Sequence, residues 1–311
     1  MAEPPVETSR TMLYFVDGAL AYAGPYVHER GHPMHTHSFF EVAVVTGGEG
    51  VHQSLAGRQQ LRVGDVILLR PGVWHSYEDC RDLRIYNCCF AADLLQRELA
   101  WTREDPLLGY LLWTGPFSAE RRGILTTHLD AAPLHDALDH LQGLEELRDQ
   151  PVKLHRGDIV GRLSLFLSCV ARALEGIGTS EGETHPAVLA AMRRMEADPA
   201  HQWTLTELAS ELHLAPGYLV RLFKSSTGLP PMAYLSRHRV ELAADLLLHT
   251  DLAICRIGEA VGWPDQNYFA RRFKSHYGLT ASNYRASFTH PGRTGAVPRE
   301  RRDSAPARTG A

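Results

Sequence analysis

The chain has 311 residues, of which 44% are hydrophobic and 22% are charged, and its formal net charge is −4. This length exceeds what one hydrophobic core usually serves, so we expect two domains. The sequence contains no stretch of roughly 18 uncharged apolar residues, and its opening MAEPP lacks the basic and then apolar order of a secretory signal. These features argue against a membrane or secreted protein and predict a soluble cytoplasmic one.

Charge distribution and cysteine content narrow the class further. Residues 1–184 sum to −9, whereas residues 185–290 sum to +2 and residues 291–311 to +3. An acidic front and a mildly basic rear suit a sensor joined to a nucleic-acid binder. The cysteines are odd in number and form no C-x-x-C pair, so neither a disulfide framework nor a zinc knuckle is indicated. We expect buried, reduced thiols at Cys80, Cys88, Cys89, Cys169 and Cys255.

Residues 12–90 have the pattern of many short strands separated by turns. The candidate strands are residues 26–30, 39–46, 50–55, 58–63, 66–69 and 83–90, with turns at 47–48, 56–57, 64–65 and 71–72. Short strands at such close spacing predict a small barrel or a sandwich.

Histidines in this region form a candidate site. His35, His37 and Glu41 have the same parity, so an extended chain would project all three from one strand face. His75 follows the predicted turn at 71–72. Three imidazoles and one carboxylate directed into a small barrel suit a divalent transition ion such as Zn, Fe, Ni or Mn.

The pattern H-x-H-x3-E followed by P-G-x-x-H resembles the two motifs of the cupin family, over residues 12–90. The resemblance implies a cupin barrel and leaves two uses of the polar set open. One is a metal site, and the other is a metal-free pocket that needs no cofactor and binds a sugar or closes hydrogen bonds within the barrel. The metal candidates are His35, His37, Glu41 and His75. The candidate ligand-binding residues are Arg30, His35, His37, Glu41, His75 and Tyr77, whereas His28, His32 and His52 are interpreted as ordinary polar residues.

Beyond Ala91 the apolar spacing becomes helical. One stripe runs through Leu134, Leu138, Leu141 and Leu144 or Leu147, and a second through Leu163, Phe166, Leu167, Val170 and Leu174. The stripes could pack on the barrel or form a homodimer interface, and the sequence leaves both open. The Gly, Ser and Thr content of residues 177–184 predicts a flexible linker. The Pro, Arg, Gly and Ser content of the last twenty or so residues predicts a disordered basic tail.

An internal repeat organises the last third of the chain. The segment YLVRLFKSSTGLPPMAYL from Tyr218 matches YFARRFKSHYGLTASNYR from Tyr268 at an offset of fifty residues. The matched pairs are Tyr218/Tyr268, Arg221/Arg271, Phe223/Phe273, Lys224/Lys274, Gly228/Gly278 and Tyr234/Tyr284. Such agreement indicates two copies of one structural unit.

Each copy predicts a helix-turn-helix unit. In the first copy Thr204 and Glu207 form a capping box, and Pro216 suits the first position of the second helix. In the second copy Asp265 can cap the corresponding helix. Residues 231–249 have no helix breaker and predict one long helix between the copies. Two recognition helices held apart in this way could enter successive major-groove segments roughly 34 Å apart.

Residues 186–288 resemble the AraC/XylS DNA-binding domain, through I-G-E-A-V-G-W-x-D-x-N-Y-F-x-R-x-F-K and the closing G-L-T-x-x-x-Y-R. The resemblance implies that the exposed faces of both recognition helices read bases. Arginine can fork onto guanine and Gln or Asn can pair with adenine, whereas lysines and helix amino ends hold phosphate. The candidate DNA-binding residues are Pro216, Gly217, Val220, Arg221 and Lys224, then Gln266, Asn267, Ala270, Arg271 and Lys274.

The sequence thus predicts an α+β multidomain protein. We expect disordered residues 1–10, a jelly-roll-like cupin β-barrel over 11–92, a helical dimerisation region over 93–176, a linker over 177–184, an all-α domain of two helix-turn-helix units over 185–288, and a disordered tail over 289–311.

The predicted function is non-enzymatic regulation of transcription by sequence-specific binding to double-stranded DNA. We expect a cytoplasmic homodimer with no membrane partner, controlled by a small effector in the barrel, a carbohydrate or a related metabolite. Contact with RNA polymerase is compatible with this role. The alternatives are a metal-cupin enzyme of the dioxygenase or isomerase type, and a metal-responsive sensor fused to a DNA-binding domain.

Overall fold

The computed structural model describes residues 20–37, 39–117, 121–175 and 185–288. The predictions for residues 1–10, 177–184 and 289–311 lie outside the described residues. Within these ranges a sheet-rich front part precedes an all-helical rear part, which confirms the predicted fold class. No helix in the described ranges combines the length and apolar character needed to cross a membrane.

The front part contains seven strands. They are β1 (Ala21–His28), β2 (His32–His35), β3 (Phe40–Ser54), β4 (Gly57–Leu61), β5 (Asp65–Leu69), β6 (His75–Phe90) and β7 (Ile124–His128). They form one antiparallel sheet in the order β1-β6-β3-β5-β7, with β2 paired to β6 and β4 paired to β3. The two long strands β3 and β6 pair from Phe40 to Ser54 and form the centre of this cupin-like sheet.

Three sequence-based boundaries are wrong. Residues 47–48, predicted as a turn, lie inside β3, because bulges bend the strand there without ending it. Gly48 has φ +68°, and a Cβ at this position would collide with the carbonyl oxygen of Asp82, so glycine permits the close approach of β6. β6 begins at His75 and not near residue 83. Residues 124–128, predicted within a helical region, form β7, because β5 offers them an edge for pairing.

Both faces of the sheet are buried, in keeping with the two-residue period of a strand. On the inner face Ala43, Ile67 and Leu69 belong to one small core. On the outer face Val42 and Phe90 belong to a second, larger core. The inner core surrounds the polar residues described below, and the outer core is covered by helices.

Eleven α-helices are described. They are α1 (Ala92–Gln96), α2 (Pro106–Gly109), α3 (Ala131–Glu146), α4 (Val152–Arg172), α5 (Pro186–Ala197), α6 (Leu205–Glu211), α7 (Pro216–Thr227), α8 (Pro231–His249), α9 (Ile254–Ala260), α10 (Gln266–Tyr277) and α11 (Ala281–Phe288). On α3 and α4, Leu141, Leu163 and Phe166 are fully buried in the core that contains the outer face of the sheet. The two apolar stripes therefore pack on the barrel, as one of the two alternatives predicted.

The rear part contains the two predicted helix-turn-helix units, α6–α7 and α9–α10. The capping box of Thr204 and Glu207 is present at the start of α6, and α7 begins at Pro216. α8 spans the predicted residues 231–249. The matched residues Phe223 and Phe273 are both fully buried, so each recognition helix is held by the same apolar anchor.

Candidate functional site

The residues predicted to contact DNA lie on α7 and α10. Nine of the ten side chains or backbone positions are exposed, and Val220 is partly buried. Exposure follows from the helical period, because Leu219 and Phe223 on α7, and Phe269 and Phe273 on α10, turn toward the cores. Both recognition helices thus present their polar faces to solvent, where the edges of bases and phosphates can be reached.

The two recognition helices differ at their amino ends. One carboxylate oxygen of Asp265 accepts hydrogen bonds from the backbone N–H groups of Asn267 and Tyr268 at 2.8 and 3.0 Å. Ala215, at the same place before α7, makes no side-chain cap. α10 therefore has a better-defined first turn, and this turn carries Gln266 and Asn267.

A second polar group lies inside the sheet, which brings together the histidines from distant parts of the chain. β2 contributes His35, the following segment His37, β3 Glu41 and β6 His75, and all four side chains are buried. Ligand-capable atoms of His35, Glu41 and His75 lie within 4.8 Å of one another. Nε2 of His37 lies 3.0 Å from Oε2 of Glu41. We refer to these four residues as the histidine centre.

The tautomers of two of these histidines follow from their backbone partners. Nδ1 of His35 lies 3.0 Å from the carbonyl oxygen of Pro33, and Nδ1 of His37 lies 2.9 Å from that of Phe39. A carbonyl only accepts, so Nδ1 must donate in both cases and Nε2 is left as the second ring nitrogen. A hydrogen bond from one ring nitrogen to a backbone carbonyl, as Nδ1 makes here, orients metal-binding histidines in proteins.

Several buried polar atoms around the centre have no hydrogen-bond partner among the described residues. They are Oε1 of Glu41, Nε2 of His52, both ring nitrogens of His75, the hydroxyl of Tyr77 and Oδ1 of Asn87. Buried polar atoms without partners cost free energy and require an explanation such as a ligand, an ion or water. The histidine centre therefore offers unpartnered polar atoms to a ligand, an ion or water.

The set of residues around the centre differs from the predicted set. The ring of His28 lies 5.0 Å from that of Tyr77 and the ring of His32 lies 4.5 Å from that of His35, so both histidines border the centre, although they were interpreted as ordinary polar residues. His52, interpreted as an ordinary polar residue, is 2% exposed, and its ring lies 5.6 Å from that of His75. The bulges in β3 turn His52 to the inner face, and nothing in the sequence marks that change of parity. Tyr77 is buried beside His52, as expected for a lining residue, whereas Arg30 follows β1 and is exposed.

Burial controls the electrostatics of the centre. It lowers the pKa of His35 from 6.5 to about 3 and that of His52 to about 4, because a charged imidazole loses its hydration there. The same burial acts to raise the pKa of Glu41, but the hydrogen bond and charge of His37 outweigh it and the pKa is lowered. The centre thus combines the neutral imidazoles of His35, His52 and His75 with an ionised carboxylate, and such donor groups suit a transition metal.

The sensor sheet and the helical part are joined by a buried ion pair. Nε and Nη2 of Arg70, directly after β5, donate to the two carboxylate oxygens of Glu241 on α8 at 2.8 and 2.9 Å. Nη1 of Arg70 donates to the carbonyl oxygen of Leu112 at 2.6 Å. Sequence reasoning missed this pair, because no local pattern links residues 171 positions apart.

The segment between Arg70 and the histidine centre also touches the second helix-turn-helix unit. The indole of Trp74 donates to the carbonyl oxygen of Tyr277 at 3.1 Å, and the hydroxyl of Tyr284 donates to that of Gly72 at 3.2 Å. Gly72 has φ +80°, and a Cβ there would collide with the hydroxyl of Tyr277. The turn that precedes His75 is therefore in direct contact with α10 and α11.

An antiparallel sensor sheet with a buried polar centre, followed by two helix-turn-helix units, defines a ligand-sensing transcription regulator. Residues 18–141 match the model of the AraC-like ligand binding domain, and residues 208–287 match the model of a helix-turn-helix domain. Between them the two models match most of the chain. The chain belongs to the AraC/XylS family of transcriptional regulators.

Comparison with individual proteins agrees with this assignment. The chain is 27% identical to the HTH-type transcriptional activator RhaR of Cronobacter sakazakii, over 81% of this chain and 86% of that protein. It is 22% identical to RhaR of Mannheimia succiniciproducens, over 85% of this chain and 92% of that protein. A solved structure of ToxT from Vibrio cholerae matches with 14% identity and a TM-score of 0.52, over 88% of this chain and 100% of that one, and shows the shared fold. Both RhaR proteins are named transcriptional activators.

Proposed function

We propose that this protein is a sequence-specific regulator that binds double-stranded DNA through α7 and α10 and acts in the cytoplasm. The observation that carries the proposal is the repetition itself. Two helices of the same length, fifty residues apart, each expose an arginine and a lysine at matched positions, Arg221 and Lys224 or Arg271 and Lys274. A single exposed arginine is usually a solvated charge, but two in the same place on duplicated helices fit a shared reading role.

Unit two is the stronger reader in this proposal. Its exposed face offers Gln266, Asn267 and Arg271, which can make bidentate contacts to adenine or guanine. The face of unit one offers Gly217 and Val220 beside its arginine, so fewer of its positions can form hydrogen bonds to bases. Because the relatives are named activators, we further propose that the bound protein contacts RNA polymerase.

DNA binding is tested by gel shift and footprinting on the promoters next to the protein's own gene. We expect protection of two segments about one helical turn apart, with weaker protection for unit one. Arg221→Ala combined with Arg271→Ala should abolish selective binding, and the exposed Arg58→Ala in the sensor is the matched control. Binding of the folded protein to random DNA with equal affinity would refute the proposal.

We propose that the histidine centre is the sensing site of the front domain. An effector that satisfies its unpartnered atoms would favour one arrangement of the sensor and so bias the attached reader. The predicted carbohydrate or related metabolite is one candidate occupant, in line with the similarity to RhaR proteins.

A divalent transition ion is the second candidate occupant, and the geometry favours it. Ring centroids of His35 and His75 are only 4.1 Å apart, and several donor atoms converge within the reach of a single ion. The residues that would hold the ion are His35, His37, Glu41 and His75. It would satisfy the buried nitrogens and could act as the signal itself, without a catalytic role.

The two occupants are separated by titration calorimetry on protein stripped with EDTA. We expect one Zn²⁺ or Ni²⁺ per chain and at least a tenfold loss of affinity in His75→Ala, with His249→Ala on the surface of α8 as the matched histidine control. Absence of stoichiometric metal binding by the stripped, folded protein would exclude the ion. DNA affinity measured with and without the metal then decides whether the ion is a signal.

We also propose a homodimer. Leu154 and Leu165 on α4 are 79% and 54% exposed, and their spacing of three helical turns places them on one face. A second copy could cover this face because the main stripe of α4 is already used against the barrel. Sedimentation should show a dimer that Leu154→Glu with Leu165→Glu dissociates, and an unchanged dimer would assign the interface elsewhere.

A further inference from the structure

A cavity of about 420 Å³ lies between the sensor sheet and α8. Small-molecule sites typically measure roughly 300–1,000 Å³, so this cavity can take a ligand of monosaccharide size. The space around the histidine centre is instead crowded by rings, since the centroids of His52, Tyr77 and His75 are each within 5.7 Å of one another. Room for an organic molecule is therefore found at the junction of the two parts of the chain.

One wall of the cavity is a stripe of α8. Tyr234, His238, Glu241 and Asp245 line it at intervals of three or four residues, which places them on a single face of the helix. A helix face that serves only packing is usually apolar. Three of these four side chains are a histidine or a carboxylic acid, so this face offers hydrogen-bonding groups as well as packing area.

The opposite wall comes from the sensor and adds aromatic and amide groups. Phe40, Arg70, Gln96 and Trp113 line this side. Together the walls alternate hydrogen-bonding groups with aromatic side chains. This combination suits a molecule with hydroxyl groups and an apolar body.

The charges in the cavity argue against an anionic ligand. All three nitrogens of Arg70 already donate to Glu241 or to the carbonyl oxygen of Leu112. Glu196, also in the lining, accepts from Tyr234 at 2.5 Å and from Arg103. The lining thus has more carboxylates than cations, and its one arginine is engaged. A carboxylate or phosphate would find repulsion in place of a partner.

We propose that this cavity binds an uncharged polyhydroxylated small molecule, such as a neutral monosaccharide, as the organic effector. Hydroxyl groups donate to Asp245 and exchange hydrogen bonds with His238 and Gln96, while the apolar face of the ring packs on Trp113 or Tyr234. The barrel is then free to hold the ion of the histidine centre. The inference rests on the proposed function, in which the state of the sensor controls the reader.

The position of the cavity explains how the effector would be sensed. Its two walls belong to the sensor and to the helix that joins the two DNA-reading units. A molecule bound between them interacts with both only while they are docked, so it stabilises the docked arrangement. Binding of the effector is then coupled directly to the docking of the sensor on α8, without intermediate residues.

The test is titration calorimetry of the full chain with a panel of neutral aldoses that includes galactose, with galacturonate as the charged counterpart. We expect at least one neutral aldose to bind and galacturonate to bind at least tenfold more weakly. His238→Ala and Asp245→Asn should each weaken binding about tenfold, and His135→Ala on the exposed surface of α3 should not. Ala91→Trp, which adds an indole ring to the cavity lining, should abolish binding in a chain whose melting temperature shows that it is folded.

Two results would overturn the inference. One is the absence of binding by every aldose at millimolar concentration. The other is the reverse pattern of variants, in which Tyr77→Phe in the barrel abolishes sugar binding while His238→Ala and Asp245→Asn preserve it. Gel shifts without sugar on the same preparations keep the outcomes distinct, because selective DNA binding there supports the proposed function even if the cavity binds nothing.

Discussion

The histidine centre and the recognition helices are both clusters of polar residues, but they lie in opposite environments. Around the centre His52 and His75 are at most 2% exposed and retain unpartnered nitrogens. On α7 and α10 the polar groups face solvent, where water satisfies them until DNA replaces it. A buried polar cluster costs stability whenever its ligand is absent, whereas an exposed one costs little. Removing the ligand of the histidine centre should therefore lower the stability of the sensor. Absence of DNA should leave the stability of the reader nearly unchanged.

The largest expected effect concerns the ion pair that joins the two regions. Glu241→Ala removes the carboxylate that faces the buried guanidinium of Arg70, and we expect the free energy of unfolding to fall by about 3–5 kcal/mol. Urea unfolding followed by circular dichroism measures the change. The double variant Arg70→Met with Glu241→Met should recover most of the loss. A loss below about 1 kcal/mol would mean that sensor and reader are not coupled through this contact.

The second effect is a pH dependence of stability that arises from the buried histidines of the sensor. Burial lowers the pKa of His35 to about 3 and of His52 to about 4, so the unfolded chain binds protons more readily than the folded one. Stability is then complete above pH 6.5 and is lost as the pH falls toward 4, by up to about 1.4 kcal/mol per pH unit for each histidine. Urea unfolding in EDTA between pH 7.5 and 4.5 checks this slope. His52→Gln should flatten it and the exposed His135→Gln on α3 should not, whereas equal slopes in all three proteins would contradict the assignment.

The third effect belongs to the reader alone. Arg271→Ala should weaken binding to the preferred site by about 1–3 kcal/mol and relax selectivity at one base, whereas Lys274→Ala should weaken all sequences alike and reduce the salt slope by about one. Neither change should alter the melting temperature, since both side chains are exposed. Competition gel shifts at several salt concentrations distinguish the two. Identical losses on specific and random DNA would contradict the separate roles.

The smallest effect is local to the first turn of α10. Asp265→Ala removes the cap on Asn267 and Tyr268 and should cost about 1 kcal/mol of stability. The exposed Asp251→Ala, which lies before α9, is the matched control. Hydrogen exchange of the α10 amides should rise in the first variant only. If instead the α10 amides exchange as slowly as before, the cap at Asp265 does not contribute to the stability of α10.

Much of the reader could be predicted because its information is local. The capping box at Thr204, the proline at 216 and the apolar anchors Phe223 and Phe273 each act within one or two helical turns, and α8 has the predicted bounds. The sensor was predictable only in outline. Its strands alternate as expected, but the continuation of β3 past Gly48 and the pairing that creates β7 depend on β6 and β5.

The sequence by itself determined the duplicated helical units, the family and the four residues of the histidine centre, because repeats and fixed spacings are properties of the chain. Only the tertiary structure brought His52 to that centre, since a bulge reverses the parity on which a strand-face argument depends. The pairing of Arg70 with Glu241, and the cavity between the sensor sheet and α8, likewise arise only in the folded structure. Contacts between residues far apart in sequence arise from packing, and no local pattern encodes them.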